Sequence, residues 1–538
     1  MRFSLLHVVL LAGGVASHPA LAGLPDYTFQ LQARTNLKGN ASGAYNVDPG
    51  NLLPGSLQVS ITQDRQVAFV LSITPEGQRA IWWGREGEGR RLYLLPSLGG
   101  EEVAGDPALN SKGDIAFSVF NGSRGNGIYF FNTADPGQVR VINEPLGATD
   151  WASLRLNEAG QLGSRVSISS AHAYVLLAPS GSSFTTTYLA KEKAIDASSP
   201  YEFLYSPAFN DLGQMAGVVD LATAGSEYFQ ELRVWDSNGS SQLIVASRGR
   251  DPSSPVYRFA SVRSALSNVK KIAFLGTARD PSNKNVTTLW LWDGSRLKVL
   301  AQSGQGGILT LESFPPHIND SGLVVFRAQD SAGLRAVWVS DGDSVKRVVS
   351  EHDILPSDQG PARVDQETSS SPVFAGAPLI NSRGDVSFVA GLAPPDNNQV
   401  EWGTAIYIAR SSLPPPSSPD AGSTMDAGST MDAGSTTDAG STMDAGSPMD
   451  AGSTMDAGSC GPTHDPDVYD PGNGIPGQCW DGGSAEDAGS TPMPDAGRPR
   501  EDTPGPDKGC GCQSTPLSVL GPWVLMGLAR MLAARRRQ

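Results

Sequence analysis

The chain has 538 residues, enough for about two to four average domains or for one large repeat fold. Its net charge of −15 is uneven: residues 413–509 hold 17 acidic and 3 basic residues, which leaves residues 23–412 at −6. Residues 23–412 lack a basic stretch interleaved with aromatic residues, so no nucleic-acid partner is expected. All four cysteines follow residue 459, so an apolar core rather than disulfides must hold this body together.

Residues 1–22 have the layout of a secretory signal peptide. Arg2 supplies a positive start, residues 5–15 an apolar stretch, and Ala20-Leu21-Ala22 a small-x-small cleavage site. We expect signal peptidase to cut after Ala22 and leave Gly23 as the new N-terminus. The alternative, a buried helix, fits these flanks less well.

An octapeptide, Asn-x-x-Gly-x-apolar-small-Phe in its best copies, recurs through the body. Its turn positions in five copies are Asn110 and Gly113, Asn157 and Gly160, Asn210 and Gly213, Asn319 and Gly322, and Asn381 and Gly384. Two degenerate copies, starting at Thr62 and Ser267, keep the apolar half but lose Asn and Gly. The seven copies are separated by 48, 47, 53, 57, 52 and 62 residues, a period that is typical of a repeat architecture.

Each copy predicts a turn followed by a strand. Asn starts turns by bonding its own backbone, and Gly supplies a positive φ without steric cost. The apolar-small-Phe run is a short buried strand, and a second strand with Trp or Tyr follows, as in Leu289–Trp292. A third strand comes next, so each unit is an antiparallel meander of three strands, with a fourth expected. Loss of Asn and Gly puts the turn geometry of the two degenerate copies in doubt.

Seven such units predict an all-β body, a seven-bladed β-propeller over residues 23–412. The last unit lacks its third strand, and the segment Tyr27–Gln32, which alternates like a strand, could fill that gap and close the ring. A closed ring would leave few open sheet edges. The competing architectures are an open β-solenoid and a row of sandwiches.

The octapeptides resemble the NxxGxxAF tandem-repeat family of secreted bacterial proteins with varied C-terminal anchors. The resemblance covers roughly residues 55–410. It implies no catalytic residues, because the family has none established to carry over.

Residues 413–459 repeat Asp-Ala-Gly-Ser-Thr-Met every six residues, which predicts a disordered, extended linker rather than a calcium-binding β-roll. Residues 460–509 form an acidic, Pro/Gly-rich segment. Within it Cys460 and Cys479 could form a disulfide in an oxidising compartment. Residues 464–470 group oxygen ligands, so calcium is a possible cofactor there, although the spacing fits no EF-hand loop and a solvated acidic loop is the simpler interpretation.

Residues 510–538 combine a Cys-x-Cys motif (Cys510 and Cys512), a short apolar stretch expected to form a hydrophobic helix, and an Arg cluster. This order resembles the MYXO-CTERM sorting tail of myxobacteria. The resemblance implies processing by a myxosortase-type protease near one of the cysteines, contact with the membrane through the tail, and delivery to the cell surface. The alternative, a redox or metal-binding cysteine pair, lacks further ligands.

For function, the sequence favours a non-catalytic binding module, a propeller that presents Gly-, Ser-, Asn- and Asp-rich loops to a glycan, peptide or protein ligand. A hydrolase or lyase is the second hypothesis and a structural envelope protein the third. The body has three histidines (His172, His317 and His352) and no G-x-S-x-G or HExxH motif. Asp236, Asp293 and Asp341 recur at one position of the repeat, where hairpin-turn chemistry is the expected role. We therefore predict no catalytic, cofactor or metal residues in the body.

Overall fold

The computed structural model describes residues 23–36, 44–47, 59–73, 78–95, 102–120, 122, 124–221, 229–365 and 373–414. Every regular element in this part of the chain is a β-strand, and the strands form seven sheets. No helix in these ranges is long and apolar enough to cross a membrane. The signal peptide, the linker beyond residue 414, the cysteine-containing segment and the sorting tail lie outside the described residues.

The strands follow in chain order, grouped by sheet. Strand β1 is Tyr27–Arg34. Blade 1 holds β2 (Tyr45–Asn46), β3 (Ser60–Ile61), β4 (Gln66–Ile73), β5 (Arg79–Arg85) and β6 (Glu88–Leu94). Blade 2 holds β7 (Glu102–Leu109), β8 (Asp114–Phe120), β9 (Gly127–Asn132) and β10 (Asp135–Ile142). Blade 3 holds β11 (Ala148–Leu156), β12 (Leu162–Ile168), β13 (Ala171–Ser180) and β14 (Ser183–Lys191).

The second half continues the same plan. Blade 4 holds β15 (Tyr201–Leu204), β16 (Ala208–Phe209), β17 (Met215–Leu221), β18 (Gln230–Trp235) and β19 (Ser241–Ala246). Blade 5 holds β20 (Arg258–Phe259), β21 (Ala265–Leu266), β22 (Ile272–Arg279), β23 (Asn285–Trp292) and β24 (Leu297–Gln302). Blade 6 holds β25 (Ile308–Leu311), β26 (His317–Ile318), β27 (Val324–Asp330), β28 (Arg335–Ser340) and β29 (Val345–Ser350). Blade 7 holds β30 (Ile354–Ser357), β31 (Gly360–Val364), β32 (Phe374–Ile380), β33 (Val386–Ala393) and β34 (Gly403–Ser411).

The seven sheets form a closed propeller, which confirms the predicted fold. Each octapeptide joins the innermost strand of its blade to the next strand outward. The inner strands contact one another in sequence from β3 through β7, β11, β16, β21 and β26 to β32, and β32 contacts β3. Strand β1 pairs with β34 as the outermost strand of blade 7, from Tyr27 opposite Ser411 to Arg34 opposite Ala405. The predicted closing segment is thus also confirmed.

The core consists of seven apolar clusters, one at each interface between neighbouring blades. The octapeptide explains this arrangement because successive side chains of a strand point to opposite faces. In blade 2, Ile115 and Phe117 pack toward blade 1, whereas Ala116 between them packs toward blade 3. Each blade is therefore buried on both faces, and the apolar-small-Phe run supplies a large face and a small one.

The octapeptide turn has the same geometry in intact and degenerate copies. The N–H of the fourth residue donates to the carbonyl of the first, at 3.1 Å in the copy at Asn110 and 3.2 Å in the copies at Thr62 and Ser267. The fourth residue has a positive φ in every copy, and in the degenerate ones this residue is Arg65 (67°) or Lys270 (59°). A side chain in this region costs about 1–2 kcal/mol. The degenerate turns therefore persist under strain that Gly avoids elsewhere.

Replacing Lys270 by Gly is expected to stabilise the protein by up to about 1 kcal/mol, because relief of the left-handed strain exceeds the added entropy of the unfolded chain. Urea unfolding of the variant would measure the gain. The matched control is Lys270→Ala, which removes the exposed ion pair with Asp236 (3.2 Å) but keeps a Cβ at the strained position. Equal stability of the Gly and Ala variants would contradict the prediction.

The Asn of the octapeptide has a second role that the sequence did not reveal, as a clasp between blades. Its Oδ1 accepts N–H bonds inside the turn, and its Nδ2 donates to a carbonyl at the matching position of the next blade. The five clasps are Asn110 to Asn157 (3.1 Å), Asn157 to Asn210 (3.5 Å), Asn210 to Ser267 (3.1 Å), Asn319 to Asn381 (3.1 Å) and Asn381 to Thr62 (2.9 Å). Asp would preserve the turn, but only an amide also supplies the donor.

The longest spacing between octapeptides, the 62 residues before Asn381, includes a segment that helps to close the ring. It contains the hairpin β30–β31, which lies against β1. Arg34 of β1 makes a two-pronged bond to Asp358 at the hairpin tip, at 2.7 and 2.9 Å, and the Tyr407 hydroxyl donates to the Pro356 carbonyl at 3.0 Å. This part of the long insertion therefore supports the joint between the first and last strands.

Candidate functional site: the axial cavity

The seven inner strands surround a partly open cavity of about 180 Å³ on the ring axis. Its wall is formed by the residues around each octapeptide turn. The residues two positions before the first octapeptide residue differ in character from blade to blade; in order they are Ser60, Ala108, Arg155, Ala208, Ala265, His317 and Leu379. Only blades 3 and 6, three steps apart in a ring of seven, place a long polar side chain here, and both Arg155 and His317 line the cavity.

Two further charged residues complete a cluster with these side chains. Asp106 and Arg263 lie four positions before the first octapeptide residue in blades 2 and 5. Burial lowers the pKa of Arg155, and the Asp106 charge partly offsets this. Burial, followed by repulsion from Arg155, lowers the pKa of Arg263 well below its usual range. The ring thus brings two guanidinium groups and one carboxylate within electrostatic range of one another; Arg263 is buried, and Arg155 and Asp106 are half-buried.

His317 is held neutral inside this cluster. Burial, together with the charges of Arg263 and Arg155, lowers its pKa to about 3. The main-chain N–H of Ile380 donates to Nδ1 at 3.3 Å, so Nδ1 is the acceptor nitrogen. In a neutral imidazole the proton must then be on Nε2, which becomes a hydrogen-bond donor. The cluster therefore offers one N–H and two guanidinium groups against a single carboxylate.

A polar rim surrounds the cavity at the octapeptide turns. The second residue of a copy accepts a hydrogen bond from the N–H of the second residue in the preceding blade. These bonds run from Ser111 to Glu158 (3.1 Å), Glu158 to Asp211 (3.0 Å), Asp211 to Asn268 (2.9 Å), Asn268 to Asp320 (2.7 Å) and Ser382 to Gln63 (2.9 Å). The rim carboxylates are thus engaged in holding blades together. They line the same cavity as Arg155 and His317.

The pKa of His317 predicts a pH-dependent stability. The unfolded chain binds a proton near pH 6.5, whereas folded His317 resists it until about pH 3, so acid favours unfolding. Between pH 7 and 5 this group alone should cost about 2 kcal/mol of folding free energy. His317→Gln removes the titration, so its stability relative to the parent should improve by that amount over this range. Urea unfolding at both pH values measures it; a constant difference would contradict a buried neutral His317.

The recurring aspartates serve hairpin turns, as the sequence analysis expected. Asp293 Oδ1 accepts the N–H groups of Ser295 and Arg296, each at 3.0 Å, and these bonds lower its pKa. Asp341 accepts the corresponding bonds from residues 343 and 344. The Asp236 side chain binds Gln214 Nε2 at 2.6 Å, and its main-chain carbonyl accepts the turn N–H of Gly239. None of the three lines the axial cavity.

The other two histidines occupy separate places. His172 Nδ1 lies 2.7 Å from Glu192 Oε1, and both Glu192 oxygens also accept main-chain N–H groups, from His172 and Leu204. Asp150 is near His172, and burial raises its pKa against the opposing charge of Arg165. Among the described residues, other histidine–carboxylate pairs exist, but the His172–Glu192 pair in blade 3 is the one with a partly buried acid of raised pKa, Asp150, beside it.

A three-residue group could hold a metal ion by distance alone. The ligand atoms of Glu351, His352 and Asp365 lie within 4.8 Å of one another. The Arg363 guanidinium is 2.9 Å from Asp365 Oδ2, and the Asn398 amide donates to the same oxygen at 3.2 Å. The Arg363 charge balances the buried carboxylate and the Asn398 amide hydrogen-bonds to it, so the group is better explained as an ion-pair network.

The ten predicted turn residues all lie at the axial end of the inner strands, where their Gly members have φ between 72° and 94°. The structure adds Arg155, Arg263, Asp106 and His317, which sequence reasoning missed. The sequence did contain a clue: positions two and four residues before the octapeptide are mostly uncharged, and these four residues are the exceptions. Gly23 is the first described residue and is exposed. Ala22, Cys460, Cys479, Cys510, Cys512 and the possible calcium loop at 464–470 lie outside the described residues.

Comparison with known proteins gives one family match for part of the chain. Residues 95–332 match the model of a family of unknown function, DUF7453. No curated protein matches the chain. Among solved structures, it is similar to a prolyl endopeptidase (12% identity, TM-score 0.39, 67% of this chain and 51% of that one) and to the acylaminoacyl peptidase of Pyrococcus horikoshii (11%, 0.40, 66% and 54%).

A polysaccharide lyase is also similar, with 9% identity and a TM-score of 0.43, over 72% of this chain and 97% of the lyase. The chain spans about half the length of each of the two peptidases. Similarity at this level does not extend to the residues of a site.

Proposed function

We propose that the protein is a non-catalytic binding module, displayed at the cell surface on a flexible stalk. The observation that supports this is the axial cavity, where polar side chains from different blades converge inside a rigid closed ring. The carboxylates of Asp293 and Asp341, in contrast, accept N–H groups of hairpin turns and do not line this cavity. A rigid frame around a small polar cavity suits recognition, because little ordering is needed when the ligand binds.

The two chain ends support the placement. On the proposed route, signal peptidase cuts after Ala22, and a myxosortase-type protease processes the tail near Cys510 or Cys512. The acidic linker would then hold the ring away from the outer membrane. Mass spectrometry of the mature surface protein tests this; retention of the intact Arg cluster would refute it.

Hydrolase or lyase activity is the second candidate, and the observation in its favour is the His172–Glu192 pair beside Asp150. Glu192 accepts two main-chain N–H groups, which suits a structural role. The deciding experiment applies a glycan and peptide array together with a hydrolase and lyase panel to the full mature chain. Binding without turnover supports the module. Turnover that His172→Gln abolishes would replace it with an enzyme, and neither binding nor turnover would leave a structural envelope role.

A further inference from the structure

A second cavity lies at the outer strands of the ring, where the first and last blades meet. It is an open groove of about 740 Å³, which falls within the ~300–1,000 Å³ of pockets that hold small ligands. One wall is the hairpin of β5 and β6 in blade 1, and the other is formed by Gln30 of β1 and Arg410 of β34. Gln32 Oε1 accepts the Gly87 N–H of the hairpin at 3.2 Å and so joins the two walls. Closure of the ring therefore builds this groove.

Three guanidinium groups line the groove, and none of them is tightly paired. Arg85 forms an ion pair with Asp64 at 3.8 Å, and Arg410 forms one with Glu86 at 3.9 Å. Arg90 is exposed, and its side chain has neither an ion pair nor a hydrogen bond with the described residues. Exposed ion pairs of this length contribute little to stability. The guanidinium forks are therefore available to the oxygens of a ligand carboxylate.

The groove also offers an unpaired acceptor and an aromatic wall. Gln30 lines it, and Gln30 Oε1 is buried without a hydrogen-bond partner in the described part of the chain. A ligand hydroxyl that donates to this amide would satisfy a group that is costly to leave unpaired. Trp83 is half-buried, and its Nε1 donates to Gln66 Oε1 at 3.0 Å, which fixes the indole beside the groove. The carboxylates of Glu86 and Glu88 add further acceptors for hydroxyl groups.

We propose that this groove binds an acidic oligosaccharide, a short chain of sugar rings that carry carboxylates. The guanidinium forks match its carboxylates, the glutamates and the Gln30 amide match its hydroxyls, and the indole matches the apolar face of a sugar ring. A peptide fits less well. Trp83 is the one large apolar side chain among the described residues of the lining, and the free edge of β6 contributes only residues 88–90. This second site shares no residue with the axial cavity and extends the function proposed above.

The test titrates the full mature chain with trigalacturonate and measures binding by isothermal calorimetry and by the shift in Tm at constant ionic strength. The methyl ester of the same trisaccharide is the uncharged match, and triglutamate is a peptide of equal net charge. We expect trigalacturonate to bind and to raise Tm, because a ligand that binds only the folded state stabilises it. The methyl ester should bind at least tenfold more weakly, and triglutamate should cause no comparable shift.

Two variants separate a binding role from a structural one. Arg90→Gln should weaken trigalacturonate binding about tenfold and leave the Tm of the free protein unchanged, because this side chain is exposed and unpaired. Gln30→Leu should weaken binding severalfold, whereas the free protein should melt at the same or a higher temperature, because a buried acceptor without a partner is removed. A merely structural role for Gln30 would lower that Tm instead. Arg124→Gln, at an exposed position between β8 and β9 and outside the groove, is the matched control and should bind like the parent.

Three results would overturn the proposal: no binding of trigalacturonate, equal binding of its methyl ester, and unchanged binding by Arg90→Gln. Equal or tighter binding of triglutamate would show instead that the groove takes acidic peptides. Failure of this site is distinguishable from failure of the binding function as a whole. If Arg155→Gln abolishes trigalacturonate binding and Arg90→Gln keeps it, the ligand lies in the axial cavity, and the protein is a binding module without this second site.

Discussion

Deleting the closing strand, residues 24–34, should abolish cooperative folding of the ring. Strand β1 covers the edge of β34 and contributes Tyr27, Phe29 and Leu31 to the cluster between blades 6 and 7. Phe29 meets Phe388 edge-to-face, with ring centroids 6.2 Å apart. Burial of these three side chains is worth on the order of 5 kcal/mol, close to the whole stability of a typical domain. Circular dichroism melting and size-exclusion chromatography measure the loss and the aggregation expected of an open edge.

A transposed variant is the matched control for that deletion. Ser411 lies opposite Tyr27, and the Ser412 N–H donates to the Asp26 carbonyl at 2.9 Å. Residues 24–34 can therefore follow Ser412 through a short loop and form a hairpin with β34. This variant should melt cooperatively near the parent temperature, because it keeps every contact of the strand. A deletion variant that melts like the parent would show that the ring does not depend on β1.

Asn210→Asp should cost about 3 kcal/mol of folding free energy. Asn210 is buried, and its Nδ2 donates to the Ser267 carbonyl at 3.1 Å and to Gln214 Oε1 at 3.0 Å. Its Oδ1 accepts the turn N–H groups of Leu212 and Gln214. Aspartate keeps these accepted bonds, loses both donated ones and turns a buried negative charge toward two oxygens. Urea unfolding of both proteins measures the difference.

Asn238→Asp makes the same chemical change in a different setting. Asn238 is exposed in a hairpin, where its Oδ1 accepts the Ser240 N–H at 2.9 Å. Its substitution should change stability by less than about 0.5 kcal/mol. If the two variants lose equal stability, the clasp between blades contributes nothing.

Much of the fold was predictable because its turns, strands and hairpins depend on residues that are close together in the sequence. The repeats of turn, strand and hairpin depend on residues within about ten positions of one another, as in Asn110 to Phe117. The closing strand was also predictable, because the last unit lacked an outer strand and the segment before the first unit, Tyr27–Gln32, alternated like a strand. The inner strands were harder to detect. Several, such as Ser60–Ile61 and His317–Ile318, are two residues long and too short to show alternation.

The structure also settles the turn geometry of the two degenerate copies, which the sequence left open. Nothing local favours a left-handed Arg65 or Lys270, yet the flanking strands hold both turns in the common geometry. The Asn clasps between blades could not be predicted from the sequence for a different reason. An Asn at a turn looks the same whether its amide meets water or the next blade, and the partners of the clasp are 47–62 residues apart, or at the two ends of the body.

The sequence by itself determined the number of repeats, the all-β class, the strand-turn order and the segment that closes the ring. Each of these follows from local hydrogen-bonding preference and from the alternation of side chains along a strand. Only the tertiary structure decided that Asp106, Arg155, Arg263 and His317 form one group. They are distant in sequence and come together because ring closure directs two positions of the inner strands, two and four residues before the octapeptide, toward a single axis. Burial and repulsion within the group lower the pKa values of Arg263 and His317 there.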